Sequence, residues 1–319
     1  MPKVSVVIPI YGVEKFIERC TRCLFKQTLD DIEYIFVDDC TKDRSIDILK
    51  DVIKDYPNRH SQIKILRHEH NKGLPQARKT GIMEASGQYI AHCDSDDWPD
   101  LAMYEIMYNK AIEEDSDVVV CDYYLHNGKS VLKTNVGCRT TNVESARTEF
   151  MVNGRWSVWN KLFRRSLYSE DIFYPEGNMG EDLALTFQLL LRCNKVSYVD
   201  TPLYYYFQNP TSISNVKTKS SILKKYYQLC DNMAIMFKEY ERFGLLSNIN
   251  DVSLHMKWDV RRLIWGLTYE REYYELWKNT YPEIDKVILF SPYVSQDDKI
   301  RYILTRLRLF PFKKDRVVL

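Results

Sequence analysis

Val4-Ser5-Val6-Val7-Ile8-Pro9-Ile10, followed by Tyr11-Gly12, is the stretch that decides the fold class. A short, nearly continuous apolar run closed by a turn signal reads as a strand buried on both faces. Such strands belong to parallel sheets, whose helical crossovers cover both sides. The residues that follow supply the crossover. Val13, Phe16, Ile17, Cys20 and Leu24 recur at helical spacing. Glu33 to Val37 repeats the strand pattern and ends at Asp38-Asp39, and Asp43 stands where it can cap the next helix. Ile63 to Leu66 and Gln88 to Cys93 read as further strands. Between them, Gly73 to Ala85 reads as a helix with Pro75 in its first turn. Leu101 to Glu113 and Asp117 to Cys121 continue the alternation. Strand and helix thus alternate to about residue 122, the pattern of a parallel sheet with helices on both faces. Ligands of such sheets bind at the carboxyl ends of the strands. Tyr11, Asp38, Asp39, Asp94, Asp96 and Asp97 all follow strands, and this selects the five aspartates from 44 acidic residues.

Beyond Asn142 the pattern changes. Val143 to Val152 and Glu181 to Cys193 read as helices, and Val196 to Val199 and Leu203 to Phe207 as strands. After about Ser214 the chain is largely helical and rich in Tyr and Trp. With 319 residues, 45% hydrophobic and 28% charged, a sizeable core can form, in one large α/β domain plus a smaller part. A net charge of +1 gives no general argument for nucleic acid or an acidic partner. The apolar run at the N-terminus is too short for a signal peptide, and no segment reaches the ~18 apolar residues of a membrane span. Of the eight cysteines, Cys20 and Cys23 form a CxxC inside a helical pattern with no second ligand pair, so neither zinc nor a redox centre is expected. Thiols in apolar runs fit a reducing, cytoplasmic compartment.

Asp94-Ser95-Asp96-Asp97 carries the chemistry. Acids at i and i+2 on a turn can converge on Mg²⁺ or Mn²⁺, which prefer oxygen ligands. A departing diphosphate needs such an ion. Chance alone supplies about two D-x-D triplets in a chain this rich in Asp, and a second one stands at Asp115-Ser116-Asp117. That one precedes a strand, at the edge opposite the ligands, and reads as a helix-to-strand turn. Asp38-Asp39 can accept hydrogen bonds from a nucleobase or ribose. Glu181-Asp182 opens a helix after Gly180, where the macrodipole alone favours acids; a base in a cleft is the functional alternative. Trp156, Trp159, Lys161 and Arg164 can line a sugar site or belong to the core. The histidines show no metal-ligand spacing, and His68 and His70 read as surface residues. No Gly-rich dinucleotide or Walker loop is present.

Several ordered blocks together resemble inverting glycosyltransferases of family 2, with the GT-A nucleotide-sugar fold. They are Val4 to Tyr11, Gln27-Thr28, Val37 to Asp43, Asn71 to Arg78, Gly87 to Ile90, Asp94 to Trp98, Trp159 to Phe163 and Gly180-Glu181-Asp182. The resemblance covers about residues 3 to 214. It implies a mainly parallel central sheet flanked by helices, with a mostly helical C-terminal region. Residues 1–214 would be the catalytic domain, with a nucleotide half to about 122 and an acceptor half from 123. Residues 215–319 would be the helical region. Pro9, Tyr11 and Asp39 would frame the nucleobase, Arg78 would lie near the diphosphate, and Asp94 and Ser95 would belong to the donor site. Asp96 would ligate Mn²⁺ or Mg²⁺, Asp182 would be the general base, and Trp159 and Glu181 would shape the acceptor site. The partners implied are a UDP-sugar and a saccharide or lipid-linked saccharide. Two departures stand out. Cys40-Thr41 replaces the family's Gly-Ser, and Phe207-Gln208-Asn209 follows Tyr204-Tyr205-Tyr206 where a basic residue is common. The processive Gln-x-x-Arg-Trp signature is absent. The rival readings are a non-catalytic sugar-nucleotide-binding subunit and a nucleotidyltransferase. The latter would need a Gly-rich phosphate loop near the N-terminus. Near the C-terminus, Ile300, Ile303, Leu304 and Leu307 form an apolar stripe among Arg301, Arg306, Arg308, Lys313, Lys314 and Arg316. This is the pattern of a basic helix lying on the inner face of a membrane or docked on its own protein.

Overall fold

The computed structural model describes residues 1–137, 139–209, 218–250 and 252–309. Cys138, Lys313, Lys314 and Arg316 lie outside the described residues. The chain divides into two compact units, one of Met1–Arg147 with Trp156–Asn209, the other of Thr148–Arg155 with Pro210–Leu319.

The first unit is built on one sheet. Strands β1 (Val4–Ile10) and β2 (Ile32–Asp38) are buried at every residue, as a sheet covered on both faces requires. They join β3 (Ile63–Arg67) and β4 (Tyr89–His92) in the parallel order β3-β2-β1-β4. Three helices, α1 (Ile17–Phe25), α2 (Ser45–Lys54) and α3 (Leu74–Met83), make the crossovers. Helix α3 lies close on β1: a Cβ at Gly81 would stand 2.5 Å from Val7 Cγ1, so only glycine permits this approach.

The remaining sheet is mixed. After the two-residue β5 (Trp98–Pro99) and α4 (Met103–Glu113) come β6 (Val118–His126), β7 (Val131–Thr134), α5 (Val143–Asn153) and β8 (Lys161–Arg164). Strand β8 inserts antiparallel between β4 and β6. Helix α6 (Glu181–Arg192) precedes β9 (Val196–Phe207), which runs parallel to β6 through an irregular register near Cys121 and Asp122. The GT-A architecture therefore holds, with a parallel first half and a mixed second half. The two strand segments expected at Val196–Val199 and Leu203–Phe207 are one strand. Strands β7 and β8 mix charged with apolar residues over four positions, and β5 has two residues, so none shows a period.

The second unit is helical in its described part: α7 (Lys219–Arg242), α8 (Ser253–Leu263), α9 (Arg271–Asn279) and α10 (Gln296–Arg306). Its core is aromatic. Trp258 packs edge-on against Trp265 at 4.8 Å, and the Arg261 guanidinium lies 4.0 Å over Trp277. Among the described residues no helix is long and apolar enough to cross a membrane.

Candidate active site

The acids selected by strand order stand together at the carboxyl ends of β1, β2 and β4, within the first unit. Parallel pairing puts Ile10 beside Asp38 and Val7 beside His92, so the turns after these strands open at one edge. Tyr11 is exposed there, and Ser95 closes the acidic turn onto β1 by donating to Pro9 O at 2.7 Å.

Asp39 is buried, and its carboxylate accepts three N–H groups: His68 Nδ1 (2.7 Å), Lys72 N (2.8 Å) and Gly73 N (2.9 Å). Gly73 sits at φ +88, a conformation other residues adopt only under strain, and this brings two successive amides onto one carboxylate. His68 is thus a buried partner of Asp39 and Thr80, not the surface residue expected. Its signal was its place directly after β3, one residue beyond the Asp38–Arg67 pair. The loop before α2 is fixed by Asp43, whose Oδ1 accepts from Ser45 N and Thr41 Oγ1 and whose Oδ2 accepts from Glu14 N. Cys40, where the family places glycine, takes φ +58. A side chain there costs ~1–2 kcal/mol. Glycine's extra unfolded-state entropy offsets ~0.5–1 kcal/mol of it. Cys40→Gly is expected to stabilise the protein by up to about 1 kcal/mol. The urea midpoint checks this; a lower midpoint would mean that the Cys40 Sγ contact to Glu69 O, at 3.6 Å, outweighs the strain.

Arg78, on α3, organises the other half of the site. It is 1% exposed. Its Nε donates to Glu181 at 2.8 Å, and its Nη2 reaches Asp94 at 2.8 Å and, more loosely, Asp182 at 3.5 Å. Burial works against the guanidinium charge, but Glu181, Asp94 and Asp182 hold it protonated. Nη1 is buried without a hydrogen-bond partner among the described residues. Helix α6 begins at Glu181, so its first turn delivers Glu181 and Asp182 to the same cation that holds the acidic turn. One guanidinium cannot neutralise three carboxylates. Burial, opposed by Arg78 and assisted by Asp182 and Asp96, raises Asp94 to about 6. Burial also raises Asp96, and it raises Asp97 with help from Asp96 and Asp94. Under the cluster, burial and the nearby Arg78 charge keep His92 neutral; its Nε2 meets Tyr168 Oη at 2.9 Å.

The acidic turn divides its labour. Asp97 is spent inside the fold, accepting from Tyr204 Oη (3.0 Å) and Phe207 N (2.6 Å). Asp94 keeps a quarter of its side chain open to solvent. Asp96 accepts from Asn209 Nδ2 at 3.2 Å, and its backbone carbonyl accepts from Arg19 at 3.0 Å. Among the described residues, no three His, Cys, Asp or Glu side chains form a closed metal cage. One or two carboxylates of raised proton affinity fit a Mg²⁺ or Mn²⁺ that takes its other ligands from phosphate and water.

Trp159 is 7% exposed, stacked on Tyr204 (4.6 Å) and Tyr206 (5.4 Å) and edge-on to Tyr123 (4.8 Å). Glu181 is buried as the Arg78 counter-ion. Lys161 is fully buried and donates to Asn160 Oδ1 at 3.1 Å. Arg164 binds Asp115 (2.7 Å) and Asp117 (2.8 Å), so the second D-x-D is an ion-paired turn and not merely a solvated one. Sequence reading missed Tyr204, Asn209 and Asn178; Asn178 Oδ1 caps Leu74 N at 3.1 Å.

The model of glycosyl transferase family 2 matches residues 5–176. The chain belongs to glycosyl transferase family 2. The uncharacterized glycosyltransferase EpsJ of Bacillus subtilis is 32% identical over 240 residues, covering 72% of this chain and 68% of that one. The cholesterol galactosyltransferase of Borreliella burgdorferi is 29% identical over 266 residues, covering 77% and 71%. The crystal structure of Staphylococcus aureus TarS residues 1–349 with UDP-GlcNAc superposes with a TM-score of 0.70 at 21% identity, covering 96% of this chain and 88% of that one. The Pyrobaculum calidifontis mannosyltransferase PcManGT with GDP-Man and Mn²⁺ gives a TM-score of 0.56 at 12% identity, covering 97% and 87%. In this family 2 glycosyltransferase the matched segment contains β1 to β4, the acidic turn and Arg78; α6 follows it.

Proposed function

We propose that this family 2 chain transfers a sugar from a UDP-sugar to an acceptor hydroxyl with inversion, in the assembly of a surface glycan or other polysaccharide. The observation that carries the reading is the meeting of Asp94 and Asp182, from β4 and α6, on one buried guanidinium. A base and a charge-bearing turn so joined can act on the two sides of one anomeric carbon. Residues to about 122 are assigned to the nucleotide, residues 123–214 to the acceptor and residues 215–319 to a helical region. Pro9, Tyr11 and Asp39 border the nucleobase, and Ser95 fixes the turn that faces the donor. Because Asp39 already accepts three N–H groups, its part is to shape that wall through the 68–73 loop as much as to touch the base. Asp96, with Asp94 beside it, would hold Mn²⁺ or Mg²⁺, which supplies positive charge to a departing diphosphate. Asp182 removes the proton of the acceptor hydroxyl as that oxygen attacks. Glu181 keeps Arg78 in place behind it. Trp159 bears on the acceptor side through the aromatic stack it shares with Tyr204 and Tyr206. The acceptor is a saccharide or lipid-linked saccharide. TarS bound to UDP-GlcNAc and PcManGT bound to GDP-Man and Mn²⁺ support a nucleotide-sugar donor and a divalent ion.

Release of UDP from a panel of UDP-sugars, with Mn²⁺ and without, tests the reading. Metal-stimulated hydrolysis or transfer is expected. Donor binding with no turnover under any condition would leave a binding subunit instead. Asp96→Ala is expected to weaken manganese-dependent UDP binding at least tenfold by calorimetry. Full affinity in the variant, or wild-type turnover unaffected by chelator, would remove the assigned role.

A further inference from the structure

Helix α10 is apolar on the side it does not bury. At roughly 100° per residue, Asp298, Tyr302 and Thr305 share its inward face, and all three are buried. Tyr302 packs against Trp258 at 5.9 Å and Trp277 at 5.8 Å, so this face docks the helix within its unit. A helix docked in this way carries polar residues on the opposite face. Here that face carries Ile300, Ile303 and Leu307, exposed by 55%, 43% and 61%. Cations flank the stripe on both sides, Lys299 and Arg306 on one and Arg301 on the other, and Arg308 follows just past the helix end at φ +61. Three of them are braced. Arg306 pairs with Asp285 at 3.1 Å, Arg308 lies 4.1 Å over Tyr274, and Arg301 lies 5.9 Å over Trp265. Asp297, in the first turn, is the exposed acid of the helix.

We propose that this outer face of α10 docks on an anionic lipid bilayer, with Ile300, Ile303 and Leu307 entering the acyl boundary and the flanking cations meeting headgroup phosphates. The charge selects the occupant. A second copy of the chain would set two basic margins against each other, which like-charge repulsion opposes. An anionic membrane surface complements both margins at once. Long basic side chains can also keep their charge at the interface while their stems cover apolar surface. This inference goes beyond the sugar-transfer reading and does not depend on it.

Flotation of the full-length chain with liposomes tests it without any turnover assay. The wild type is expected to float with vesicles of phosphatidylglycerol and phosphatidylcholine, to float poorly with phosphatidylcholine alone, and to lose binding as salt rises. The triple substitution Ile300→Ser, Ile303→Ser and Leu307→Ser is expected to reduce partitioning at least tenfold with unchanged thermal melting, since these side chains are exposed. Arg301→Glu with Arg308→Glu should abolish the preference for anionic vesicles. Failure of the wild type to float with anionic vesicles would overturn the proposal. So would equal flotation of the triple variant, or light scattering showing a wild-type dimer that the same three substitutions dissociate.

Discussion

Asp182→Asn is expected to lower kcat by roughly 10²- to 10⁴-fold, the range a positioned general base contributes, while UDP binding stays within about twofold of wild type. The expectation comes from geometry. Asp182 meets Arg78 at 3.5 Å, a looser contact than the 2.8 Å bonds to Glu181 and Asp94, and it keeps nearly a quarter of its side chain exposed. Its carboxylate is thus held near the cluster without being consumed by it. An amide of the same shape removes the proton-accepting oxygen and leaves the ion pairs that position the acidic turn. Steady-state kinetics and a calorimetric titration with UDP and Mn²⁺ measure the two quantities separately. A parallel loss in both would make Asp182 part of the donor site and leave the base unassigned.

Arg78→Met should have the largest effect on stability. It removes the one guanidinium shared by Glu181, Asp94 and Asp182, and leaves the buried Glu181 facing the partly exposed Asp94 and Asp182. Breaking a buried ion pair from one side costs about 3–5 kcal/mol, which lowers the melting temperature by roughly 10 °C in a protein of this size. The loss has a pH signature. Asp94 sits near 6 with the arginine present, and burial raises Glu181, so both take up protons readily as the solution is acidified. Without the cation these groups bind protons more tightly in the native state, so for Asp94 the variant regains stability relative to wild type as pH falls towards about 6, and the gap levels off below it. The penalty is therefore largest at neutral and alkaline pH. Melting curves of both proteins between pH 5 and 8 check the slope; a gap independent of pH would mean that lost packing, not charge, sets the cost. Arg78→Lys should fall between the two, because an ammonium cannot reproduce the fork that spans Glu181 and Asp94.

The sequence made the acidic edge of the sheet legible because parallel strands announce themselves. Each of β1, β2 and β4 is an apolar run that stops at a polar turn, so the acids following them had to share an edge. Asp182 was different. Its helix was visible, but two acids in a first turn are explained equally well by the macrodipole, and only the family resemblance tilted the choice. What brings Asp182 to the site is Arg78, and no local pattern on α3 says which distant carboxylates its guanidinium will gather. The same limit applies to His68 and Asn209, whose partners stand in turns after other strands or, for Thr80, on α3. Strand β8 shows the limit from the side of the fold. Its sequence, Lys161-Leu162-Phe163-Arg164, tells nothing of the antiparallel insertion between β4 and β6 that buries Lys161 and sends Arg164 to the Asp115–Asp117 turn.

A crystal structure with a UDP-sugar and Mn²⁺ bound is the most direct measurement of the central claim. The account predicts Asp96 in contact with a metal that also touches the diphosphate, and the Asp182 carboxylate on the face of the anomeric carbon opposite the leaving oxygen. A diphosphate bound away from Asp96, or Asp182 on the same face as the leaving group, would contradict it.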